Sequence, residues 1–218
     1  STSRFDLKYW DPKLTDRLHA LQIAGTKTIK DLNLLKTKRG KSPASALYVD
    51  EADGYALVVK AGSNITKLGT IAFEGDYIEK NVYDEMKSVH VEDGDVLLSS
   101  TGDGTLGKCA VYRGEAPAIF DGHVTLIRVD QSKIYPEYLC DYLRSGFGAE
   151  QISRLFTGST GLIELPPEQV DSILVPLPDF ATQQALSNQL RHAETSFASA
   201  VGDANLALNK AQQKFRDN

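Results

Sequence analysis

Val91-Glu92-Asp93-Gly94-Asp95-Val96-Leu97-Leu98-Ser99-Ser100-Thr101-Gly102 is followed by Asp103-Gly104-Thr105-Leu106-Gly107-Lys108 and then Cys109-Ala110-Val111-Tyr112. This stretch decides the fold. An apolar run opens after an Asp-Gly turn, breaks in a glycine-rich loop and resumes as a β-rich run. The loop satisfies both GxGxxG and GxxxxGK. Those phosphate-binding patterns require a helix directly after the loop, because the helix N-terminus holds the phosphates. Here a strand follows, and Cys109 stands where a magnesium-binding Ser or Thr would be. A kinase glycine loop does lie between strands, but no VAIK, HRD or DFG follows. The reading is strand–loop–strand, with backbone N–H groups and small hydroxyls of the loop exposed for contact.

Outward from this core, residues 25–135 read as β. Ala46–Val49, Tyr55–Val59, Gly69–Phe73 and His123–Val129 are short β-rich runs separated by Gly, Asp and Ser. Before them, Leu14, Leu18 and Leu21 recur at helical spacing behind Asp11-Pro12, which predicts a helix from Pro12 to Ile23. After them, Pro136-Glu137-Tyr138-Leu139 opens a short helix, a second covers about Ala149 to Phe156, and Ile173–Pro178 is a short extended run. The class is α+β: a mostly antiparallel β domain with short helices, followed by one long C-terminal helix.

That last helix covers about residues 180–216. Leu186, Leu190, Ala193, Phe197, Ala200, Ala204, Leu208, Ala211 and Phe215 are spaced close to a heptad seam with one stutter. At 1.5 Å per residue it is roughly 50 Å long, and its narrow apolar stripe needs a partner. A second copy of the chain, seated on Leu186, Leu190, Ala193, Phe197 and Leu208, is the expected one. Packing back on its own domain is the alternative.

The chain has 218 residues and a formal net charge of −5. Hydrophobic residues make up 41% and charged residues 24%, which excludes a disordered tail or a collagen-like repeat. Residues 1–48 hold ten basic and four acidic side chains, a net +6, whereas 49–121 carry −8 and 122–218 carry −3. Coating of polyanions by bulk charge is excluded, yet a basic face remains open to one. Cys109 and Cys140 lack zinc-ligand spacing and read as buried, reduced thiols. No apolar run approaches a membrane span, which predicts a chain without membrane contact.

No catalytic constellation emerges. His19, His90, His123 and His192 are far apart, and GxSxG is absent. Asp76 with Glu85-Met86-Lys87 fits a nuclease D…ExK pattern only loosely. The basic run Lys36-Thr37-Lys38-Arg39-Gly40-Lys41-Ser42-Pro43 reads either as a solvated loop or as a phosphate and base clamp, since Arg and Lys bond guanine edges.

Several segments resemble the specificity subunits of type I restriction–modification systems. Val91–Gly102 with Thr105–Ala110 is similar to that family's "GD-I-L-S-x-TG…-GK" element. Lys38-Arg39-Gly40-Lys41-Ser42-Pro43 resembles its "RGKSP". Phe156–Thr160, Ile173–Pro178 and Gln183-Gln184 resemble its "GST…I-PLP-x-x-x-Q" passage, and Arg4-Phe5-Asp6 through Asp11-Pro12 the start of such a unit. The resemblance implies a DNA target recognition domain over residues 1–179 and a helix over 180–218 for dimerisation and methyltransferase docking. It implies a half-subunit without chemistry of its own, reading half of a split double-stranded target in a prokaryotic cytoplasm. Methyltransferase subunits and a restriction/translocase subunit would be partners, and S-adenosylmethionine and ATP would belong to them. The alternatives are the recognition portion of a fused type II restriction–methylation enzyme, or a nucleotide-binding enzyme using Gly102–Lys108. On the recognition reading, Lys38, Arg39, Lys41 and Lys108 supply charge. Ser42, Ser100, Thr101, Asp103, Thr105, Thr157, Ser159 and Thr160 supply short hydrogen-bonding groups, and Asp103 suits a cytosine amino group.

Overall fold

The computed structural model describes residues 12–23, 26–114, 116–158 and 163–216. Arg4-Phe5-Asp6, the run through Asp11, and Ser159 and Thr160 lie outside the described residues.

The strand–loop–strand element forms the centre. β5 (Val96–Ser99) pairs antiparallel with β6 (Cys109–Val111) on one side and with β8 (Val124–Ile127) on the other. Side chains alternate across this sheet. Leu97, Ala110, Val124 and Leu126 enter one core, while Val96, Leu98, Cys109, Val111 and Ile127 enter a second. The continuous apolar run at 96–98 follows from burial on both faces.

The first core is closed by a four-stranded sheet of β2 (Tyr48–Val49), β4 (Tyr77–Ile78), β3 (Ala56–Val59) and β7 (Ala118–Phe120), in that order. Here β3 and β7 run parallel, Leu57 opposite Ala118, an exception within the otherwise antiparallel pairing. The second core is closed by helices α4 (Pro136–Ser145) and α5 (Phe147–Leu155), with α2 (Ile29–Leu32) and α6 (Pro167–Asp171). β1 (Lys27–Thr28) and β9 (Leu174–Val175) form a small antiparallel pair, and α1 (Pro12–Ile23) spans the expected range. Among the described residues, two α-helices interrupt the region read as β, α2 and α3 (Lys80–Glu85), together with 3-10 turns at Ser45–Leu47, Glu51–Asp53 and Lys87–Val89. Both thiols are buried, and burial holds the Cys109 thiol well above its ordinary range.

The Gly94-Asp95 turn has a tertiary role. Gly94 adopts φ +85°, and the Asp95 carboxylate accepts from the Glu92 backbone at 2.7 Å and from Arg128 Nε and Nη2, each at 2.7 Å. The turn thereby ties β5 to the end of β8.

Helix α7 (Phe180–Arg216) starts at Asp179, whose carboxylate accepts from the Thr182 N–H at 2.9 Å and lies below its ordinary pKa for that reason. Its first turns dock through a polar stripe. Gln183 accepts from the Tyr135 N–H at 2.9 Å and donates to the Pro178 carbonyl at 2.9 Å. Ser187 donates to Asp141, Arg191 donates to both Asp141 oxygens at 3.0 Å, and Glu194 meets Arg144 at 2.7 Å. Gln183, Ser187, Arg191 and Glu194 recur at spacings of four, four and three, so they share one face. The apolar seam is shifted by three residues, about 60° around the helix. It faces outward: Leu186 is 49% exposed, Phe197 72% and Leu208 56%. Residues 195–216 are exposed throughout, a stalk about 33 Å long.

Candidate nucleic-acid interface

The basic run is an extra edge on the central sheet. Its segment 33–41 lies along β8, with Leu34 N–H to the Arg128 carbonyl at 2.7 Å and Gly40 N–H to the Val124 carbonyl at 2.9 Å. Gly40 is required by close approach. A Cβ there would sit 2.2 Å from the Phe120 carbonyl oxygen and 2.3 Å from that of Asp121. Lys38 and Lys41 remain exposed beside it. The Ser42 hydroxyl accepts from the Gly122 N–H at 3.3 Å, which joins the run to the β7–β8 turn.

The glycine loop closes on itself. Gly102, Gly104 and Gly107 all have φ between +80° and +93°, the left-handed region open to glycine. The Thr105 and Leu106 amides bond to the Gly102 carbonyl, Gly107 to Ser99, Lys108 to Thr105 and Gly102 to Ile163. The expectation that this loop exposes its N–H groups is therefore corrected for those five amides. The turn needs them, so they do not form a phosphate cradle. Strand β6 follows the loop directly. The exposed tip keeps Asp103. The Thr105 hydroxyl donates to the Thr101 carbonyl at 2.6 Å.

Ser100 is buried, its hydroxyl bonded to Thr125 and to the Leu98 carbonyl at 3.2 Å, and so it supports the loop from beneath. Lys108 turns toward the Gly62 carbonyl at 3.5 Å. It borders a cavity of about 370 Å³ with Lys67, Arg144, Ile152 and Phe156.

Two residues that sequence reading missed join these segments. Glu164 bridges Thr101 and Thr157 through its backbone, and its Oε1 lies 3.0 Å from Arg39 Nη2. His123 takes a hydrogen bond between its Nδ1 and the Thr101 hydroxyl at 2.6 Å, and the Ser100 N–H donates to its carbonyl at 2.8 Å. Arg39 itself bridges Thr125 on β8. The basic run, the glycine loop and Thr157 thus meet around Glu164, which lies 125 residues beyond Arg39 in the chain. No sequence signal marks either linker, because both act through pairing across the fold. Asp121, beside His123, is buried, and that burial raises its carboxyl above the ordinary range against an opposing bond from the His123 N–H at 2.9 Å. Among the described residues no group of His, Cys, Asp and Glu is arranged to hold a metal ion. No described helix is long and apolar enough to cross a membrane.

No family model matches the chain. A curated Haemophilus influenzae protein named as a type I restriction enzyme specificity subunit, S.HindORF215P, is 23% identical over 153 residues, covering 68% of this chain and 37% of its own length. The crystal structure of the HsdS subunit from Thermoanaerobacter tengcongensis superposes with a TM-score of 0.54 at 16% identity, over 85% of this chain and 45% of that one. The type IIG restriction endonuclease BpuSI matches with a TM-score of 0.59 at 10% identity, over 84% of this chain and 28% of its own. The chain spans less than half the length of each. In sequence and in fold alike, it is similar to one portion of a type I restriction–modification specificity subunit.

Proposed function

We propose that this chain recognises one half of a bipartite double-stranded DNA target and positions adenine-N6 methyltransferase subunits on it. The observation that carries the reading is the meeting of the basic run, the glycine loop and Thr157 around Glu164 and His123, with Lys38, Lys41 and Asp103 exposed beside them. Exposed cations at the rim engage phosphates, while short polar groups between them reach base edges. Residues 1–179 form the recognition domain. Residues 180–218 form the arm that pairs with a second copy and docks the methyltransferases, and its uncovered apolar seam supports this role. The chain itself performs no bond chemistry. S-adenosylmethionine and ATP are handled by the methyltransferase and restriction/translocase partners, in a prokaryotic cytoplasm.

The test is co-expression with neighbouring methyltransferase genes and mapping of methylated adenines. A split motif that disappears when this chain is omitted supports the proposal; an unchanged methylation pattern overturns it. The fold likeness to BpuSI supports a second reading, the recognition portion of a fused enzyme. In that case methylation arises from one polypeptide, without a separate methyltransferase subunit.

A further inference from the structure

We propose that His123 reads an acceptor on one base edge through its Nε2–H, with Thr101 fixing the tautomer. This rests on the DNA-recognition reading and assigns a specificity role to a residue outside the sequence motifs.

His123 is exposed, and its main chain is held on both sides. Its N–H donates to Asp121 Oδ1 at 2.9 Å and its carbonyl accepts from Ser100 at 2.8 Å. The ring therefore projects from a fixed point, as base readout requires. The Thr101 hydroxyl lies 2.6 Å from Nδ1 and makes no other hydrogen bond among the described residues. A hydroxyl carries a single proton, and in neutral imidazole one nitrogen accepts while the other donates. With Thr101 donating to Nδ1, the ring proton sits on Nε2. Nε2 has no hydrogen-bond partner among the described residues, so in this tautomer its N–H is open to an acceptor.

The surroundings suit a nucleic acid. Ser42 anchors the adjoining Gly122, and the Lys41 N–H bonds to the Phe120 carbonyl at 3.2 Å. The exposed Lys41 is thereby held within the same turn region, as a phosphate partner beside the donor. In the major groove a donor at this point selects guanine N7 or O6, adenine N7, or thymine O4.

The experiment is selection of 30-bp duplexes with a randomised centre by the full chain and its variants, read by sequencing. We expect the wild type to enrich a motif. His123→Ala should lose the preference at one base pair by about five- to tenfold and keep the rest. His123→Gln, whose side-chain amide supplies an N–H at similar reach, should restore it. Thr101→Val should weaken preference at the same pair. An identical motif with His123→Ala, or an even weakening at every position, overturns the assignment. If the wild type itself enriches no motif, the DNA-recognition reading fails instead.

Discussion

Arg191 of α7 donates from Nε and Nη2 to the two carboxylate oxygens of Asp141 on α4, each at 3.0 Å. Asp141 is 5% exposed and also meets Arg144 at 2.8 Å and the Ser187 hydroxyl. One carboxylate thus holds both the arm and its own helix. Removing it leaves two guanidinium groups without their shared anion. Asp141→Ala should cost about 3 kcal/mol, measured by urea denaturation, and should loosen the arm. Hydrogen exchange of residues 180–194 checks the second effect: unchanged protection there would show that Gln183 and the Arg144–Glu194 pair hold the arm without Asp141.

Gly40 packs against the backbone of Phe120, with no room for a methyl group. Gly40→Ala should therefore displace the basic run or lower stability by about 2 kcal/mol or more, the scale of overpacked sites. A thermal melt together with DNA titration measures both effects. A variant that retains wild-type melting and binding would mean that the run moves freely.

The cations are expected to act mainly on phosphates. Replacing Lys38, Arg39 and Lys108 together with Ala should weaken DNA binding at all sequences. The salt slope should fall by roughly one for every phosphate that is no longer neutralised. Arg39 already faces Glu164. Its share should therefore be smaller than that of exposed Lys38, which single substitutions titrated against duplex at several salt concentrations will resolve.

Phe197 and Leu208 stand exposed on the stalk. Replacing both with Lys should leave the melting of the β domain unchanged. It should abolish self-association at tens of micromolar, as read by light scattering. A monomeric wild type would assign the seam to a different partner helix.

Asp121 supplies a pH prediction. Its folded-state pKa is raised by burial. The folded state therefore holds its proton more tightly than the unfolded chain. That contribution is present below the unfolded value, near 4, and is lost as pH rises through the folded value. Asp121→Asn keeps the acceptor for the His123 N–H without the buried charge. The variant should gain stability relative to wild type as pH rises from 4 to 7, and denaturation at both pH values tests the sign.

Much of the scaffold was legible from local pattern. The 91–112 stretch announced two strands around a glycine loop, because a helix must follow a phosphate-binding loop and none does. The spacing from Leu186 to Phe215 announced α7. Helices α2 and α3, of four and six residues, are too short to show a period, so the β reading ran through them. The docking stripe of α7 escaped notice because it is polar. Gln183, Ser187, Arg191 and Glu194 look like a solvated face until Asp141 and Arg144 are brought opposite.

By itself, the sequence determined the element types around the glycine loop and the long arm with its apolar seam. Those properties follow from periodicity and backbone preference, which act over a few residues. The tertiary structure alone decided that Arg39, Thr101, His123 and Glu164 meet, and that the loop amides point inward. It also decided that β3 and β7 run parallel. The first and third of those facts rest on hydrogen bonds between residues far apart in the chain, which depend on two cores being buried on opposite faces of one sheet; the loop amides turn inward mainly on bonds within residues 99–108, with Gly102 reaching across to Ile163.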